Sequence, residues 1–538
     1  MIPIISGDTM RLTFNRYDQD AYRLFLRTKS LPEHEIVYDE FADAYTVVAP
    51  SRFAELLGFQ LQRSESDWLP MPSFLFDRQS FFVRKALEAK RYACWWDTGL
   101  GKTLLILEWA RQVQSRTSGK VLIVELLNVI PEVLSAAKKF YGDELTLQVI
   151  STRDELRAWC ANGAPGIAIT NPEKFIPRER EPEAMTEVTH CVGVALDESS
   201  ILKTGGGVIK WALSKSCRGV EYKLSCTATP APNDPIEYAS QAAWLEKIRD
   251  ENDVIWTYFA RDKDGEWKVK EHALAAFYAF LSNWSCYLRD PRRYGFVDGL
   301  ADLPEPETIV HDISATAAQL AELSALPSDT GQRRILTPKK LGIVERTRMA
   351  TLSSGFVYEG EAPRNVRRVA SNKIDAIARI TAADVADGRQ IIIWTEYDAT
   401  ADAIAEALST AEVRAEVLTG TTPKPQREPI VDRFTSGATP VIITRPKMLA
   451  FGRNLQCCSS MIFADITDSY ERIYQAIRRA YRYGNPRRVR IHHPIVRELQ
   501  GVTWDNVQLK ARQFAGDVEK METLFIEAMR DELARRAA

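Results

Sequence analysis

The sequence predicts an α/β protein with two domains, each built around a parallel β-sheet. A first series of short apolar runs begins near residue 119 and comprises KVLIVEL, GIAIT, VGVALDE and KLSCTATP, and a second comprises QIIIWTE, AEVLTG, PVIITR and MIFADI. Runs rich in Val, Ile and Leu that alternate with helix-like segments are typical of parallel strands buried on both faces. The 538 residues also exceed what a single core usually holds.

The positions of the two series set the expected domain boundaries. We predict an N-terminal accessory unit of the α+β type over 1–72, a first domain over 73–300 and a second domain over 301–500. A helical insertion is expected near 240–295, where EHALAAFYAFLSNWSCYL has apolar residues at helical spacing. Residues 501–538 predict a charged C-terminal helix. Neither end of the chain carries a catalytic motif, so each is expected to pack on its neighbours or to contact a protein partner.

Composition indicates a globular chain that does not enter a membrane. Apolar residues make up 45% and charged residues 26%, and no apolar run approaches the roughly 20 residues that span a bilayer. The N-terminus lacks a basic region followed by a long apolar segment, so a cytoplasmic location is expected. The net charge of −2 neither requires nor excludes a nucleic-acid partner, because phosphate binding depends on local patches. One such patch is 471–490, with seven arginines and one acidic residue.

The cysteines and histidines do not predict a metal or redox centre. The eight cysteines are scattered without a CxxC pair, and several lie in strand-like runs where cysteine usually serves as a small buried side chain. Cys457 and Cys458 are adjacent but have no partner cysteines or histidine pair nearby. His492 and His493 lie in RVRIHHPIV, whose alternation favours a structural place in a strand.

The stretch WWDTGLGKT, 95–103, predicts a phosphate-binding loop, because it follows a strand-like run and precedes a helical one. Gly99 and Gly101 would let the backbone curl around the phosphates. Lys102 would reach the β- and γ-phosphates of a nucleotide, and the Thr103 hydroxyl would bind Mg²⁺. Trp96 occupies the position of the first glycine in the general pattern, so a chance Gly-Lys-Thr turn stays open on these residues alone.

An acidic pair, Asp197 and Glu198, ends the strand-like run VGVALDE. Parallel sheets bind ligands at the carboxyl ends of their strands, which is where this pair would lie. Asp197 could hold Mg²⁺ through water, and Glu198 could accept a proton from the water that attacks the γ-phosphate. A solvated acidic pair at a strand end is common, but in combination with the phosphate loop it favours ATP hydrolysis.

Two further segments extend this hypothesis. In SCTATPAPND the hydroxyls of Ser225, Thr227 and Thr229 could hydrogen-bond the acidic pair, although a Ser/Thr-rich strand before a Pro turn is an equal alternative. In YQAIRRAYRYGN a helix would bring Arg479 and Arg482 to one face, where their guanidinium groups could stabilise a transferring phosphoryl group. The alternative for these arginines is a solvated basic helix.

The ordered motifs resemble those of the superfamily 2 helicases, and most of all the Swi/Snf-type translocases and related phage helicases. The resemblance runs from about residue 74 to 494 and rests on nine segments in order: DRQ, DTGLGKT, ITNPEKF, LDESS, SCTATPAPN, IIIWTEY, VLTGTT with QREPIVDRF, TRPKMLAFGRNLQ and QAIRRAYRYGN. It implies two RecA-like domains that use ATP and Mg²⁺, in a bacterial or phage-infected cell.

The resemblance also implies roles for individual residues. Gln79 matches the glutamine that recognises adenine, Gly452 and Asn454 belong to motif V, and Gln475 opens motif VI. The loop, the acidic pair, the hydroxyls and the two arginines match motifs I, II, III and VI. Looser matches are implied to contact the nucleic-acid backbone: Thr170, Asn171, Thr395 and Thr444.

The sequence departs from the family at Ser199-Ser200 after the acidic pair and at Tyr481 and Asn485 in motif VI, which puts details of coupling in doubt but spares the acids and arginines. The resemblance therefore implies an ATP-dependent DNA translocase or helicase, with double-stranded DNA favoured and single-stranded DNA possible. An alternative is a remodelling or regulatory module that acts on a protein or RNA complex. An inactive nucleotide-binding scaffold is disfavoured, because Lys102, Glu198 and both arginines are retained.

Overall fold

The computed structural model describes most of the chain, in two compact units. The described residues are 3–6, 9–15, 18–40, 42–54, 57–59, 68–178, 183–202, 207–231, 235–263, 265, 267–296, 304–325, 343–360, 365–446, 448, 455–467, 470–481, 485 and 487–529. One unit comprises Met1–Asp298 with Asp517–Ala538, and the other comprises Gly299–Gly516. One division falls between Asp298 and Gly299, and the other falls inside a helix that begins at Arg497. The predicted domain boundaries stay predictions.

The chain begins with a small antiparallel sheet of the first unit. Its strands β1 to β4 run in the order β1-β2-β4-β3, and one helix, α1, follows β2. The strands are Ile4–Ser6, Thr9–Phe14, Glu35–Asp39 and Ala44–Pro50, and α1 is Gln19–Thr28. Strand β3 lies at the edge of this sheet, and all five of its residues are exposed.

A seven-stranded parallel sheet forms the core of the first unit. Its order is β13-β5-β10-β9-β6-β8-β7, and every pairing is parallel. The strands are β5 Arg91–Trp96, β6 Lys120–Val124, β7 Leu147–Val149, β8 Gly166–Thr170, β9 Gly193–Leu196, β10 Tyr222–Cys226 and β13 Ser285–Leu288, and a separate hairpin joins β11 Phe259–Arg261 to β12 Trp267–Val269. The helices are α2 Asp77–Ala89, α3 Lys102–Thr117, α4 Ile130–Tyr141, α5 Arg153–Ala161, α6 Val208–Ser216, α7 Glu237–Trp244, α8 Glu251–Tyr258 and α9 Leu274–Ser282.

The predicted helical insertion near 240–295 is only partly helical. It contains α8 and α9, but also the β11–β12 hairpin and the edge strand β13. Helix α9 ends at Ser282, and the next residues pair with β5 as a strand of the main sheet. The short run SCYL directly follows an apolar helix, so its periodicity alone does not separate it from that helix.

The second unit contains a six-stranded parallel sheet in the order β14-β21-β20-β17-β19-β18. The strands are β14 Glu307–Ile313, β17 Gln390–Trp394, β18 Ala415–Leu418, β19 Val441–Thr444, β20 Cys458–Phe463 and β21 Arg490–Val496, with an antiparallel hairpin of β15 Phe356–Glu359 and β16 Asn365–Arg368. The helices are α10 Ala317–Ser324, α11 Ile343–Ser353, α12 Asn372–Ala386, α13 Asp398–Thr410, α14 Lys424–Thr435, α15 Tyr470–Ala480 and α16 Arg497–Ala528.

Both sheets are buried as the apolar runs predict. Tyr92 to Trp96 in β5 and Ile391 to Ile393 in β17 are at most 1% exposed, because helices cover both faces of each parallel sheet. The predicted fold class, two α/β domains each built around a parallel sheet, is confirmed. None of the helices in the described ranges is both long and apolar enough to cross a membrane. The eight cysteines are free thiols, and seven of them are buried.

Candidate active site

The predicted phosphate loop joins the end of β5 to the start of α3. Gly99 has φ +85° and Gly101 has φ +86°, a backbone conformation that residues with a side chain rarely adopt. Gly101 precedes the first residue of α3, and a Cβ added there would collide with the Gln79 side chain. Both glycines are therefore required for the curl, and Gly101 also for its close approach to α2.

Lys102 and Thr103 are the first two residues of α3. The Lys102 ammonium donates hydrogen bonds to the carbonyl oxygens of Trp96 at 2.9 Å and Asp97 at 3.4 Å, so it lies inside the curve of the loop. The first backbone N–H groups of a helix have no partner within the helix and favour an anion. A cation, free N–H groups and glycines at this turn fit the phosphates of a nucleotide.

The first turn of α2 holds the loop from the other side. Gln79 is fully buried; its side-chain oxygen accepts from the Phe76 N–H at 2.9 Å and its amide donates to the Gly101 carbonyl at 2.9 Å. Arg78, also buried, donates to the Leu100 carbonyl at 3.3 Å and 3.2 Å. Adenine recognition by Gln79 stays a prediction, whereas the contact of Arg78 with the loop was not predicted.

The acidic pair follows β9 at the carboxyl edge of the same sheet. The Asp197 N–H donates to Val124 at 3.0 Å, and its carboxylate accepts the Glu198 N–H at 2.9 Å. Glu198 has φ +49°, an uncommon conformation for a residue with a side chain, and such strain is concentrated at functional sites. Burial raises the pKa of Glu198, and hydrogen bonds that favour its charged form oppose this effect.

A third acidic residue, the buried Glu125, lies beside this half-buried pair. It directly follows β6, the neighbour of β9, and is 2% exposed. Its carboxylate accepts the Leu126 N–H at 2.7 Å and hydrogen-bonds the Asp197 side chain. Burial and the nearby charge of Asp197 raise the pKa of Glu125 well above its usual range. In the sequence, Glu125 is recognisable only as an acidic residue that follows the apolar run VLIV. Its position beside Asp197 depends on the order of the strands in the sheet.

The three hydroxyls predicted to contact the acidic pair have different partners. Thr227 donates to the Glu198 carboxylate at 2.9 Å, next to a 2.7 Å hydrogen bond from Ser200. Ser225 instead donates to the side-chain oxygen of Gln241 at 2.8 Å. The Thr229 N–H donates to the Thr227 hydroxyl at 3.1 Å, and in the described part of the chain the buried Thr229 hydroxyl has no partner. Thr227 is thus the hydroxyl that reaches the pair.

Two looser predictions in this unit concern buried residues. Thr170 is fully buried, and its hydroxyl donates to the Ile150 carbonyl at 3.0 Å. Asn171 is 3% exposed, and its side-chain amide donates to the Glu173 carboxylate. Each polar side chain is thus already hydrogen-bonded within the unit. The implied contacts of Thr170 and Asn171 with a nucleic-acid backbone stay predictions.

In the second unit, α15 carries Gln475 and Arg479, which are four residues apart and lie on one side of the helix. Both side chains are partly exposed. The Leu455 N–H donates to the Arg479 carbonyl at 3.4 Å, so the segment before β20 is joined to α15. Gly452, Asn454 and Arg482 lie outside the described residues.

A comparison with known protein families gives a match within the second unit. Residues 372–484 match the model of the helicase conserved C-terminal domain. Over this segment the chain is therefore similar to helicase C-terminal domains. The chain is also 27% identical over 147 residues to the ATP-dependent helicase FUN30 of Saccharomyces cerevisiae, an alignment that covers 27% of this chain and 12% of the yeast protein. The chain therefore matches only about an eighth of the length of that relative.

Two solved structures are also similar to the chain. The Sulfolobus solfataricus SWI2/SNF2 ATPase core in complex with dsDNA is 19% identical, with 88% of this chain and 98% of that chain covered and a TM-score of 0.37. The Hef helicase domain of Pyrococcus furiosus is 15% identical, with 80% and 97% covered and a TM-score of 0.45. The predicted resemblance to Swi/Snf-like superfamily 2 helicases is supported by the family match and the yeast relative, whereas the likeness to phage helicases stays a prediction.

The matched segment also contains the remaining predicted site residues, Thr395 and Thr444. Thr395 and Thr444 are buried, and the Thr395 N–H donates to the Thr444 carbonyl at 2.9 Å. The Thr444 hydroxyl donates to Leu418 at 2.8 Å. Just beyond the matched segment, Asn485, one of the departures from the family, donates to Cys458 at 2.8 Å and to Ala480 at 2.9 Å. It therefore binds a terminal carbonyl of α15, which accounts for an amide at this position.

Proposed function

We propose that the chain is an ATP-dependent DNA translocase or helicase. The observation that supports this most directly is the arrangement at the carboxyl edge of the first sheet. A half-buried Glu198 with a raised pKa is held there by hydrogen bonds from Thr227 and Ser200, beside a loop that has the form of a phosphate site. A carboxylate poised in this way suits the acceptance of a proton.

The side chains present also suit ATP with Mg²⁺. Mg²⁺ is usually held by one or two carboxylates together with substrate phosphates, and the described residues contain no cluster of three metal-ligating side chains. Thr103 and, through water, Asp197 would hold the ion, which would neutralise phosphate charge. Lys102 and the first N–H groups of α3 would bind the phosphates, and Gly452 would also contact the nucleotide.

In the proposed reaction Glu198 takes a proton from the attacking water. Arg479 and Arg482 stabilise the charge that develops on the transferring phosphoryl group, as arginine fingers do. Thr227, which contacts Glu198, would report the state of the nucleotide and, with Gln475, couple hydrolysis to movement. The track would be DNA, with double strands favoured, held through its phosphates and therefore in a sequence-tolerant and salt-sensitive manner.

A second function, remodelling of a protein or RNA complex, is favoured by one observation in the N-terminal unit. The edge strand β3 exposes Ile36, Val37 and Tyr38 between the acidic residues Glu35 and Asp39. An exposed apolar edge can pair with a strand of another protein, and its flanking acids disfavour phosphates. In this reading a protein partner would stimulate hydrolysis in place of DNA.

Steady-state ATP hydrolysis tests the proposal. The purified chain would be assayed alone and with single-stranded DNA, double-stranded DNA or RNA, with Lys102→Ala and Glu198→Gln as matched inactive controls. Stimulation by double-stranded DNA that both variants abolish would support the proposal. Hydrolysis at the same rate with and without each of the three nucleic acids would favour remodelling that is stimulated by a protein partner. Undiminished hydrolysis in either variant would show that the active site is elsewhere.

A further inference from the structure

Two tryptophans stand together on the surface of the partly helical insertion. Trp256, in the last turn of α8, is 68% exposed, although tryptophan is usually among the most buried residue types. Trp267 begins β12, and the two indole rings meet edge to face with their centroids 6.0 Å apart. The Arg261 guanidinium lies over the Trp267 ring at 4.8 Å.

The exposed ring of Trp256 is carried by a rigid base. The Lys270 ammonium donates to the carbonyl oxygens of Trp256 at 2.8 Å and Thr257 at 3.1 Å, which fixes the end of α8. The next two residues, Tyr258 and Phe259, are at most 2% exposed and pack on aromatic rings of α9. The backbone that carries the indole is therefore anchored to the rest of the unit.

We propose that Trp256, Trp267 and Arg261 form a stacking site for the unpaired bases of a nucleic acid. Flat aromatic rings and a guanidinium plane are the groups on which bases stack, and this contact tolerates any sequence. In a duplex the faces of the bases are covered by their neighbours, so the site would select single strands, frayed ends or junctions. The proposal rests on the proposed function only in that the chain meets nucleic acid.

Local charge indicates that the rings, and not the phosphates, are recognised here. Residues 259–270 contain four basic and three acidic side chains, and Lys268 is paired with Asp262 at 2.6 Å. Because basic and acidic side chains nearly balance in this hairpin, its binding would release few counterions from the nucleic acid, in contrast to binding by a phosphate-binding groove. The stacking contribution should therefore depend only weakly on salt.

Fluorescence anisotropy with labelled DNA tests the site. The full chain, Trp256→Ala and Trp256→Phe would be titrated with a single strand of about 20 nucleotides, a blunt duplex of the same length and a forked duplex. We expect Trp256→Ala to bind the single strand and the fork about tenfold more weakly, and the blunt duplex as tightly as the parent chain. Trp256→Phe should recover most of the loss, because it restores a ring.

Trp211→Ala serves as a matched control, since Trp211 is also exposed, at 42%, but lies on α6. This variant should bind all three DNAs as the parent chain does, and thermal melting by circular dichroism would show that each variant is folded. The loss in Trp256→Ala should be similar at about 50 and about 300 mM salt.

Three results would overturn the proposal: an equal loss on single strand and blunt duplex, an equal loss in Trp211→Ala, or unchanged affinity for every DNA. Duplex-stimulated ATP hydrolysis by the parent chain, measured in parallel, separates this failure from that of the proposed function. If duplex DNA stimulates hydrolysis by the parent chain and Trp256→Ala binds every DNA as tightly as the parent chain does, the stacking site alone is overturned.

Discussion

Thr227 donates a 2.9 Å hydrogen bond to Glu198, and this contact connects two neighbouring strands at the carboxyl edge of the first sheet. Glu198 lies in the turn after β9 with a positive φ, and Thr227 directly follows β10. Burial makes the charged form of Glu198 less favourable, while the hydroxyl stabilises it. The threonine is therefore positioned to keep the proposed base ionised and oriented.

Replacement of that hydroxyl should slow ATP hydrolysis. We expect Thr227→Val to lower kcat by about tenfold or more, because a hydrogen bond to a charged group is worth about 1.5–3 kcal/mol. Thr227→Ser keeps the hydroxyl and should stay within about threefold of the parent chain. The measurement is steady-state hydrolysis at saturating ATP. Equal rates for the valine and serine variants would contradict a role for the hydroxyl.

Glu125 should make the folded protein less stable as the pH rises. The pKa of Glu125 is raised in the folded state, so the folded protein binds its proton more tightly than the unfolded chain does. The free energy of unfolding therefore falls as the pH increases from the usual pKa of a glutamate, about 4.3, towards the raised value. Glu125→Gln carries no charge and keeps an amide that can donate to Asp197. We therefore expect this variant to melt at a higher temperature than the parent chain at pH 8, and at a similar temperature near pH 4.5.

Differential scanning calorimetry at the two pH values would measure this effect. Glu125→Ala is the matched control, because it removes the charge but also the contacts of a buried side chain, and should melt lower than Glu125→Gln at both values. If the glutamine variant melted below the parent chain at pH 8, the carboxyl of Glu125 would be stabilising and the assignment of its raised pKa would be wrong.

The close approach between Gly101 and Gln79 leads to a prediction about the phosphate loop. Gly101→Ala places a Cβ against the Gln79 amide in a backbone with positive φ, which should distort the loop at a cost of about 1–3 kcal/mol. We expect this variant to lose binding of a fluorescent ATP analogue. Gly142→Ala is a useful comparison, since Gly142 also has a positive φ but a Cβ added there would meet no atom within 4 Å. It should keep nucleotide binding, and equal losses in both would indicate general unfolding.

Different parts of this architecture could be predicted from the sequence to different degrees. The Val/Ile/Leu runs identify the central strands such as β6 and β17, because strands covered on both faces tolerate few polar residues. Strand β13 was missed, since it directly follows an apolar helix. Glu125 and Arg78 were also missed, because their contacts with Asp197 and Leu100 depend on which elements become neighbours in space. Local patterns predict elements, whereas such pairs require the strand order and the packing of helices.

Lys373 provides a test of charge burial in the second unit. This residue is fully buried in α12, and its ammonium donates to the Gln500 side-chain oxygen at 3.0 Å. Burial lowers the pKa of Lys373 to about 8, while the charge of Asp465 opposes this shift. Because the unfolded chain binds more protons between about pH 8 and 10.5, the free energy of unfolding should rise with pH across that window.

Lys373→Met removes this dependence and should be more stable than the parent chain at pH 7, by up to about 3 kcal/mol. Asp465 would stay satisfied in the variant, since it accepts hydrogen bonds from the Ser354 hydroxyl at 2.7 Å and the Glu396 N–H at 2.8 Å. Urea denaturation at pH 7, 9 and 10 would measure the difference, which should shrink as the pH rises. A methionine variant that is less stable at every pH would show that the ammonium contributes more through Gln500 than its burial costs.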